Sequence, residues 1–373
     1  MTDVLITGTG LYTPAEGITN EELVASFNAY VASYNQTHQA QIEAGELEPL
    51  LESSAEFIEK ASGIKHRYVM DKAGILDVDR MYPFLPDRSN DEPSIQCEMG
   101  VVAAKQALDQ AGKTATDVDA IIVACSNMQR AYPAVAVEIQ HYLSAGGFAY
   151  DMNVACSSAT FGIQAGYNAI VAGSAKTVLV ISPEICSGHL NFRDRDSHFI
   201  FGDACTAVLL EAASGEQTSK GFRLLGAKLA TQFSSHIRNN FGFLNRCDEA
   251  GVGKRDKLFV QNGRKVFKEV CPMVAEHIIS HLGELSIDAQ QLKRLWLHQA
   301  NLSMNHLVAK KVLGREPQIE EAPVILDQYA NTSSAGSIIA FHQHNQSLQN
   351  GDLGVICSFG AGYSVGSIIV EKR

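Results

Sequence analysis

The chain contains no run approaching the roughly 20 apolar residues that a membrane-spanning helix needs. Its opening residues, MTDVLITGTGLYTP, lack the basic segment and long apolar stretch of a signal peptide. These absences predict a cytoplasmic protein with no membrane contact. The eight cysteines, at positions 97, 125, 156, 186, 205, 247, 271 and 357, form no CxxC pair, and no histidine cluster stands at metal-ligand spacing. They read as reduced thiols in mostly apolar surroundings, with no metal and no bound cofactor expected. Basic charge is also scarce. A net charge of −11 argues against a nucleic-acid surface, which would need a concentrated basic face. The strongest basic stretch, KRDK at 254–257 followed by RKVFK at 264–268, is short. It reads equally as a solvated face or as a docking point for an acidic partner.

What is present is core material: 46% of the 373 residues are hydrophobic and 19% charged, enough for one large unit or two packed halves. Aliphatic and β-branched runs alternate with helical stretches, the pattern of an α/β protein with buried parallel strands. Strands are expected at 4–8, 120–124, 148–155, 177–182, 206–211, 294–298, 353–358 and 365–371. The chain also repeats itself. A helix containing CEMGVVAAKQALDQAG leads to a strand ending at Asn127, and one containing VCPMVAEHIISHLG leads to a strand ending at Asn301. CSSATFGI then follows in the first half and NTSSAGSI in the second, at spacings of 29 and 30 residues, and FGDACTAVLLE answers FGAGYSVGSIIVE. Two similar lobes, residues 1–215 and 216–373, are predicted, with their small-residue SSA helices central. The polar stretch 34–54 reads as a helical insertion on the surface of the first lobe.

Cys156 follows a strand and opens the helix SSATFGIQAGYNAIVAG. Free N–H groups and the positive end of that helix are expected to favour thiolate and to lower the thiol pKa below its ordinary ~8.5. For any single cysteine a buried bystander is the commoner case. Strand-to-helix placement and the two matched motifs downstream reverse that.

NVACSSATFG resembles the nucleophile segment of the β-ketoacyl-acyl carrier protein synthase III family, within the thiolase superfamily. WLHQAN (296–301) and YANTSSAGS (329–337) resemble its histidine and asparagine segments, and FGAGYSVGS (359–367) its glycine-rich closing loop. FGDACTAVLLE and NGRKVFKEV (262–270) also match, so the resemblance spans both lobes. It implies a five-layer αβαβα fold with two mixed sheets around central buried helices. It also implies an acyltransferase of fatty acid biosynthesis. An acyl primer, delivered as acyl-CoA, loads onto Cys156, and malonyl-acyl carrier protein then decarboxylates and attacks it. By resemblance, His298 and Asn331 donate hydrogen bonds to the enolate oxygen, and the backbone N–H groups of Cys156 and Ala361 form the oxyanion hole. The family commonly has glycine at the place of Ala361.

Other positions follow from the same likeness. The stretch SAEFIEKASGIKHRYV resembles the family's coenzyme A entrance, with Phe57 and Ala61 where a tryptophan and an arginine usually flank the adenine. Lys268, Lys310 and Lys311 match carrier-docking residues, while Ser303 replaces an expected arginine. Tyr132, just before Pro133, occupies the place of an acyl-pocket gate. A homodimer is implied by the family alone. Cys, His and Asn also serve 3-hydroxy-3-methylglutaryl-CoA synthase-like and polyketide-type enzymes, and a non-catalytic acyl-binding paralogue would keep the fold. A thiolase would need a second cysteine in a CxG setting, whereas Cys357 lies in CSFG, and an elongating synthase would carry a histidine at the place of Asn331.

Overall fold

A computed structural model describes residues 2–213 and 220–373, so the expected boundary between lobes at 215/216 lies outside the described residues. Its strands are β1 (Val4–Tyr12), β2 (Glu16–Thr19), β3 (His66–Val69), β4 (Ala120–Ala124), β5 (Phe148–Met152), β6 (Thr177–Ile185) and β7 (Asp203–Ala212) in the first half. In the second half they are β8 (Phe222–Ser234), β9 (Ile237–Arg238), β10 (Val260–Gln261), β11 (Leu292–Leu297), β12 (Leu353–Gly360) and β13 (Gly362–Lys372). Nine of them form one sheet in the order β11-β12-β13-β8-β1-β7-β6-β4-β5.

Within that order the run β4-β6-β7-β1 is answered by β11-β12-β13-β8. In each, the first pair is parallel and the next two are antiparallel. The expected pair of sheets is thus joined edge to edge. The join is slight: Leu5 pairs with Arg223 and Ile6 with Phe222 where β1 meets β8. Each of these strands would otherwise present unpaired backbone groups in the middle of the molecule. The sheet is mixed, as the resemblance implied: parallel pairing joins β4 to β5 and β6 and β11 to β12, and the other pairs are antiparallel.

Two helices, Ser158–Val171 and Ala335–Gln343, pack against strands of both halves. Their first turns are made of small residues, Ser158, Ala159 and Thr160 in one and Ala335, Gly336 and Ser337 in the other, all buried. Larger side chains would hold the sheet halves apart. Ile163, Ile170, Ile338 and Ile339 complete a core with Val180, Leu210, Trp296, Ile356 and Ile368. Helices Ile95–Ala111 and Val135–Leu143 cover the outer face of the first half, and Gly263–Glu284 and Leu302–Leu313 that of the second. This gives five layers, helix–sheet–helix–sheet–helix. Among the described residues, no helix is long and apolar enough to cross a membrane.

Two expectations need correction. β8 has no counterpart in the strands read from sequence. Only its start is well buried and its far end is exposed, so it carries no apolar run to betray it. The insertion is helical earlier than expected. Thr19 caps the helix Asn20–Thr37 in a reciprocal pair with Glu22, and a short helix, Gln39–Glu43, follows. Residues 44–54 are irregular, held by Asn35 to Leu50 (2.9 Å in each direction) and by Asn28 to Ser53 (3.0 and 2.8 Å).

Helix Ile95–Ala111 sits almost on the backbone of β1, because Gly10 offers no side chain. A Cβ there would lie 1.9 Å from the carbonyl oxygen of Ala103. Gly10→Ala is therefore expected to cost about 1–3 kcal/mol or more, as overpacking does. The check is the urea or thermal midpoint, and an unchanged midpoint would show that strand and helix do not approach this closely.

Candidate active site

Cys156 sits in a wired turn between β5 and the first central helix. Ala155 stands at φ 47°, and its N–H donates to Asn153 Oδ1 at 2.9 Å. Ser158 Oγ accepts the Val154 N–H at 2.8 Å and donates to the Ala155 carbonyl at 2.7 Å. Gly360 presses on the cysteine from β12, where a Cβ would lie 2.6 Å from Cys156 Cβ and 3.0 Å from its sulfur. Only glycine leaves room for the thiol.

His298 follows β11, its N–H donating to the Cys357 carbonyl at 2.8 Å. Its ring meets Phe359 edge-on, centroids 5.2 Å apart. Nδ1 is buried with no hydrogen-bond partner, and the Ser333 backbone faces the ring. Asn331 belongs to the second half but is held by the first. Its N–H donates to the Ile200 carbonyl at 3.0 Å, and its carbonyl accepts the Gly202 N–H at 3.1 Å. The Ser333 N–H donates to Asn331 Oδ1 at 2.9 Å, so the hydrogen-bond network fixes which end of the amide is oxygen and frees Nδ2 as a donor. Cys156, His298 and Asn331 all line one cavity of about 560 Å³, walled by Phe199, Ile200, Phe201, Phe259 and Met304 among others.

Burial dominates the titration of both reactive groups. The Cys156 thiol is pushed up to about 11 by desolvation, and the Glu184 carboxylate acts in the same direction. The Ser333 hydroxyl and the N–H groups of Ala361 and Cys156 itself pull it back only in part. The expected thiol below ~8.5 is thus overturned. A helix N-terminus contributes a modest local field, whereas the packing around the half-buried cysteine strips much of the sulfur's hydration. Burial likewise lowers His298 to about 4, with the Ser333 backbone pulling the other way. At neutral pH the pair is thiol and neutral imidazole, not an ion pair.

The remaining candidates divide. Ala361 follows Gly360, and its backbone N–H is among the groups that lower the Cys156 thiol. Phe57 lines the cavity together with Ala61 and Ser62. Tyr132 does not line it: the side chain stands 85% exposed, and its place as a gate is not met within one chain. Lys268, Lys310 and Lys311 are exposed, and Lys310 is already paired with Glu316. Sequence reading missed Arg195, whose guanidinium lies 4.2 Å over the Phe57 ring and whose Nε donates to the Glu52 carbonyl at 2.6 Å. It also missed Glu184, a lone carboxylate in the apolar run TVLVISPEI. That is a detectable signal, because carboxylates are almost never fully buried without partners.

A buried, neutral thiol makes a kinetic prediction. The rate of iodoacetamide alkylation of Cys156 should keep rising with pH through the alkaline range, toward a half-maximum near 11. A plateau reached by pH 7 would show a thiolate and overturn this account of the site.

Relatives agree on the class of enzyme. Residues 150–232 match the family described as 3-oxoacyl-[acyl-carrier-protein] synthase III, and residues 282–372 match its C-terminal family. The chain is 63% identical to a beta-ketodecanoyl-[acyl-carrier-protein] synthase of Pseudomonas aeruginosa, over 93% of this chain and 99% of that one. It is 30% identical to beta-ketoacyl-[acyl-carrier-protein] synthase III of Granulibacter bethesdensis, over 98% of each. In fold it is similar to 3-oxoacyl-[acyl-carrier-protein] synthase III of Aquifex aeolicus, with a TM-score of 0.76 at 24% identity and 99% of each chain covered. It is also similar to the priming β-ketosynthase of the R1128 polyketide pathway, at 0.79 and 20%, covering 99% and 96%. The chain belongs to the β-ketoacyl-acyl carrier protein synthase III family, thiolase-like condensing enzymes of fatty acid biosynthesis.

Proposed function

We propose that the chain joins an eight-carbon acyl primer, brought as acyl-CoA, to malonyl-acyl carrier protein. Cys156 is the acyl carrier, His298 and Asn331 are the enolate donors, and the N–H groups of Cys156 and Ala361 are the oxyanion donors. The observation that supports this reading best is the convergence of sulfur, imidazole and carboxamide from separate elements on a single apolar cavity. In the first half-reaction the Cys156 sulfur attacks the primer thioester, coenzyme A leaves as the thiol, and the cysteine proton ends on it. Thioester exchange is nearly balanced in energy, so the enzyme has chiefly to stabilise the tetrahedral oxyanion.

In the second half-reaction the malonyl carboxylate departs as carbon dioxide and its electron pair becomes an enolate. His298 Nε2–H and Asn331 Nδ2–H are placed to donate to that oxygen. A neutral imidazole suits this task, because it donates without handing over its proton. The enolate carbon attacks the acyl-cysteine, and the sulfur leaves and regains a proton. A thiol whose pKa lies near 11 is easily reprotonated, which resets the site. The cycle balances without a resident cofactor or metal.

Primer length rests on the relative's name. A β-ketodecanoyl product holds ten carbons, two of them from malonyl, which leaves eight for the primer. The long apolar wall from Phe199 to Phe201, with Phe259 and Met304, suits such a chain. Phe57 with Arg195 would meet the nucleotide end of coenzyme A, and Lys268, Lys310 and Lys311 would meet the acidic carrier protein. We place the enzyme in the cytoplasm, and as a homodimer. β5 is an edge strand with Phe148 and Tyr150 exposed and stacked, and an open edge of this kind invites pairing with a second copy. Tyr132 belongs to the same face, since Asp151 of β5 accepts the N–H groups of Val135 and Ala136 just beyond it.

The test is mass spectrometry of the pure protein after incubation with acyl-CoA from two to twelve carbons. One acyl adduct is expected, greatest at eight carbons and lost in Cys156→Ser. No covalent adduct would favour the acyl-binding paralogue, and a preference for two carbons would overturn the primer assignment. His298→Ala and Asn331→Ala should each slow carbon dioxide release from malonyl-carrier protein by about 100-fold to 1000-fold, the usual cost of one oxyanion donor. An unaltered rate would remove that residue from the enolate site.

A further inference from the structure

Glu184, on β6, is 1% exposed, and among the described residues no cation is paired with it. Its partners are neutral donors from both halves of the molecule. Oε1 accepts the Ser126 N–H at 3.0 Å and the Ser334 N–H at 3.2 Å, and it also takes the Ser334 hydroxyl. Oε2 accepts the Ser126 hydroxyl at 2.5 Å, with the Cys186 thiol 3.9 Å away. Burial raises the pKa of this carboxyl while these donors oppose the rise, a set of contacts suited to an ionised acceptor.

The residues it grips carry the site. Ser334 opens the helix Ala335–Gln343. Ser333, immediately before it, stands at φ 50° and gives its N–H to Asn331 Oδ1. A shift of Ser334 would therefore turn the Asn331 carboxamide. On the other side the Ser126 carbonyl accepts Asn153 Nδ2 at 2.7 Å, in the turn leading to Cys156. That turn has further supports of its own in Ser158 and Asn153 Oδ1. Glu184 is not a hydrogen-bond partner of Cys156, His298 or Asn331; it reaches Asn331 through the serines, and its charge separately raises the Cys156 thiol.

We propose that Glu184 is a positioning residue which, through Ser334, keeps the Asn331 carboxamide turned toward the enolate oxygen, and so serves decarboxylation more than acyl transfer. The proposal rests on the reading of Asn331 as an enolate donor. Glutamine at 184 keeps the shape, but its amide cannot accept from both serine N–H groups and both hydroxyls. Misorienting a donor by a fraction of an ångström is costly in a preorganised site.

The experiment measures two rates in the purified enzyme: acyl transfer from octanoyl-CoA to Cys156, by mass, and carbon dioxide release from malonyl-carrier protein. In Glu184→Gln the kcat for carbon dioxide release should fall about tenfold or more, with KM for malonyl-carrier protein within about threefold and the acyl-transfer rate undiminished or raised, since the charge that disfavours the Cys156 thiolate is gone. Ser334→Ala should show the same split more weakly, and it decides the matter if Glu184→Gln does not fold. Equal losses in both rates, or no loss in either, would overturn the positioning role. Asn331→Ala, run alongside, tells the two failures apart. If it leaves carbon dioxide release intact, the enolate reading falls and the proposal with it. If it slows release while Glu184→Gln and Ser334→Ala do not, only the proposal falls.

Discussion

Two short helices have to fit side by side between the halves of one sheet, and the chemistry of the site is set by where their N-termini come to rest. Helices Ser158–Val171 and Ala335–Gln343 can lie there because their first turns are built from serine, alanine, glycine and threonine. A helix start carries N–H groups with no partner inside the helix, and in a dry interior these must be satisfied or left to serve a ligand. At the second helix Glu184 satisfies Ser334. At the first, the N–H of Cys156 is among the groups that offset the rise of its own thiol. The same packing constraint thus yields a structural clasp at one helix and the proposed catalytic opening at the other.

Dryness also decides the protonation states. Desolvation raises the Cys156 thiol and lowers the His298 imidazole, which favours the neutral form of each over a charge pair. The one charge buried close by belongs to Glu184, and it disfavours thiolate further. Four donors oppose the rise that burial imposes on this carboxyl, and its charge in turn makes the Cys156 thiol harder to ionise. The resting enzyme is protected in return, since a neutral thiol is a poor target for oxidants and stray electrophiles. Reactivity then depends on the oxyanion donors of the bound complex rather than on a standing thiolate.

Most of the architecture was legible because the residues that specify it are contiguous. Cys156, His298 and Asn331 each lie in a motif that carries its own strand end or helix start, and the repeat of those motifs announced the two-part sheet. What was not legible depends on distant contacts. β8 is half-exposed and so lacks a pattern. Arg195 is an ordinary surface arginine until the fold lays it over Phe57, and Tyr132 reads as a pocket residue until its exposure is seen. The thiol was misjudged in direction. Helix placement is a local feature visible in NVACSSATFG, whereas the burial that outweighs it comes from Gly360, Phe201 and the second lobe.

The duplication offers a physical reason for a two-step reaction in one cavity. Each half brings a residue at positive φ immediately before the group it presents, Ala155 before Cys156 and Ala330 before Asn331, and the second turn adds Ser333 just ahead of its helix. In the first that turn presents a sulfur, in the second a carboxamide. Two oxyanions arise in the proposed cycle, on the acyl carbon and on the malonyl carbonyl, and a single set of donors could not be preorganised for both positions. Two related turns from opposite halves supply two sets, each fixed by its own helix. Asn331 is pinned by Ile200 and Gly202 of the other half, so the donor proposed for the second step is anchored to the lobe that carries the proposed nucleophile of the first. The distance between the two oxyanion sites is therefore set by hydrogen-bonded backbone, and a sliding of one lobe over the other would have to break those bonds before it could change that distance.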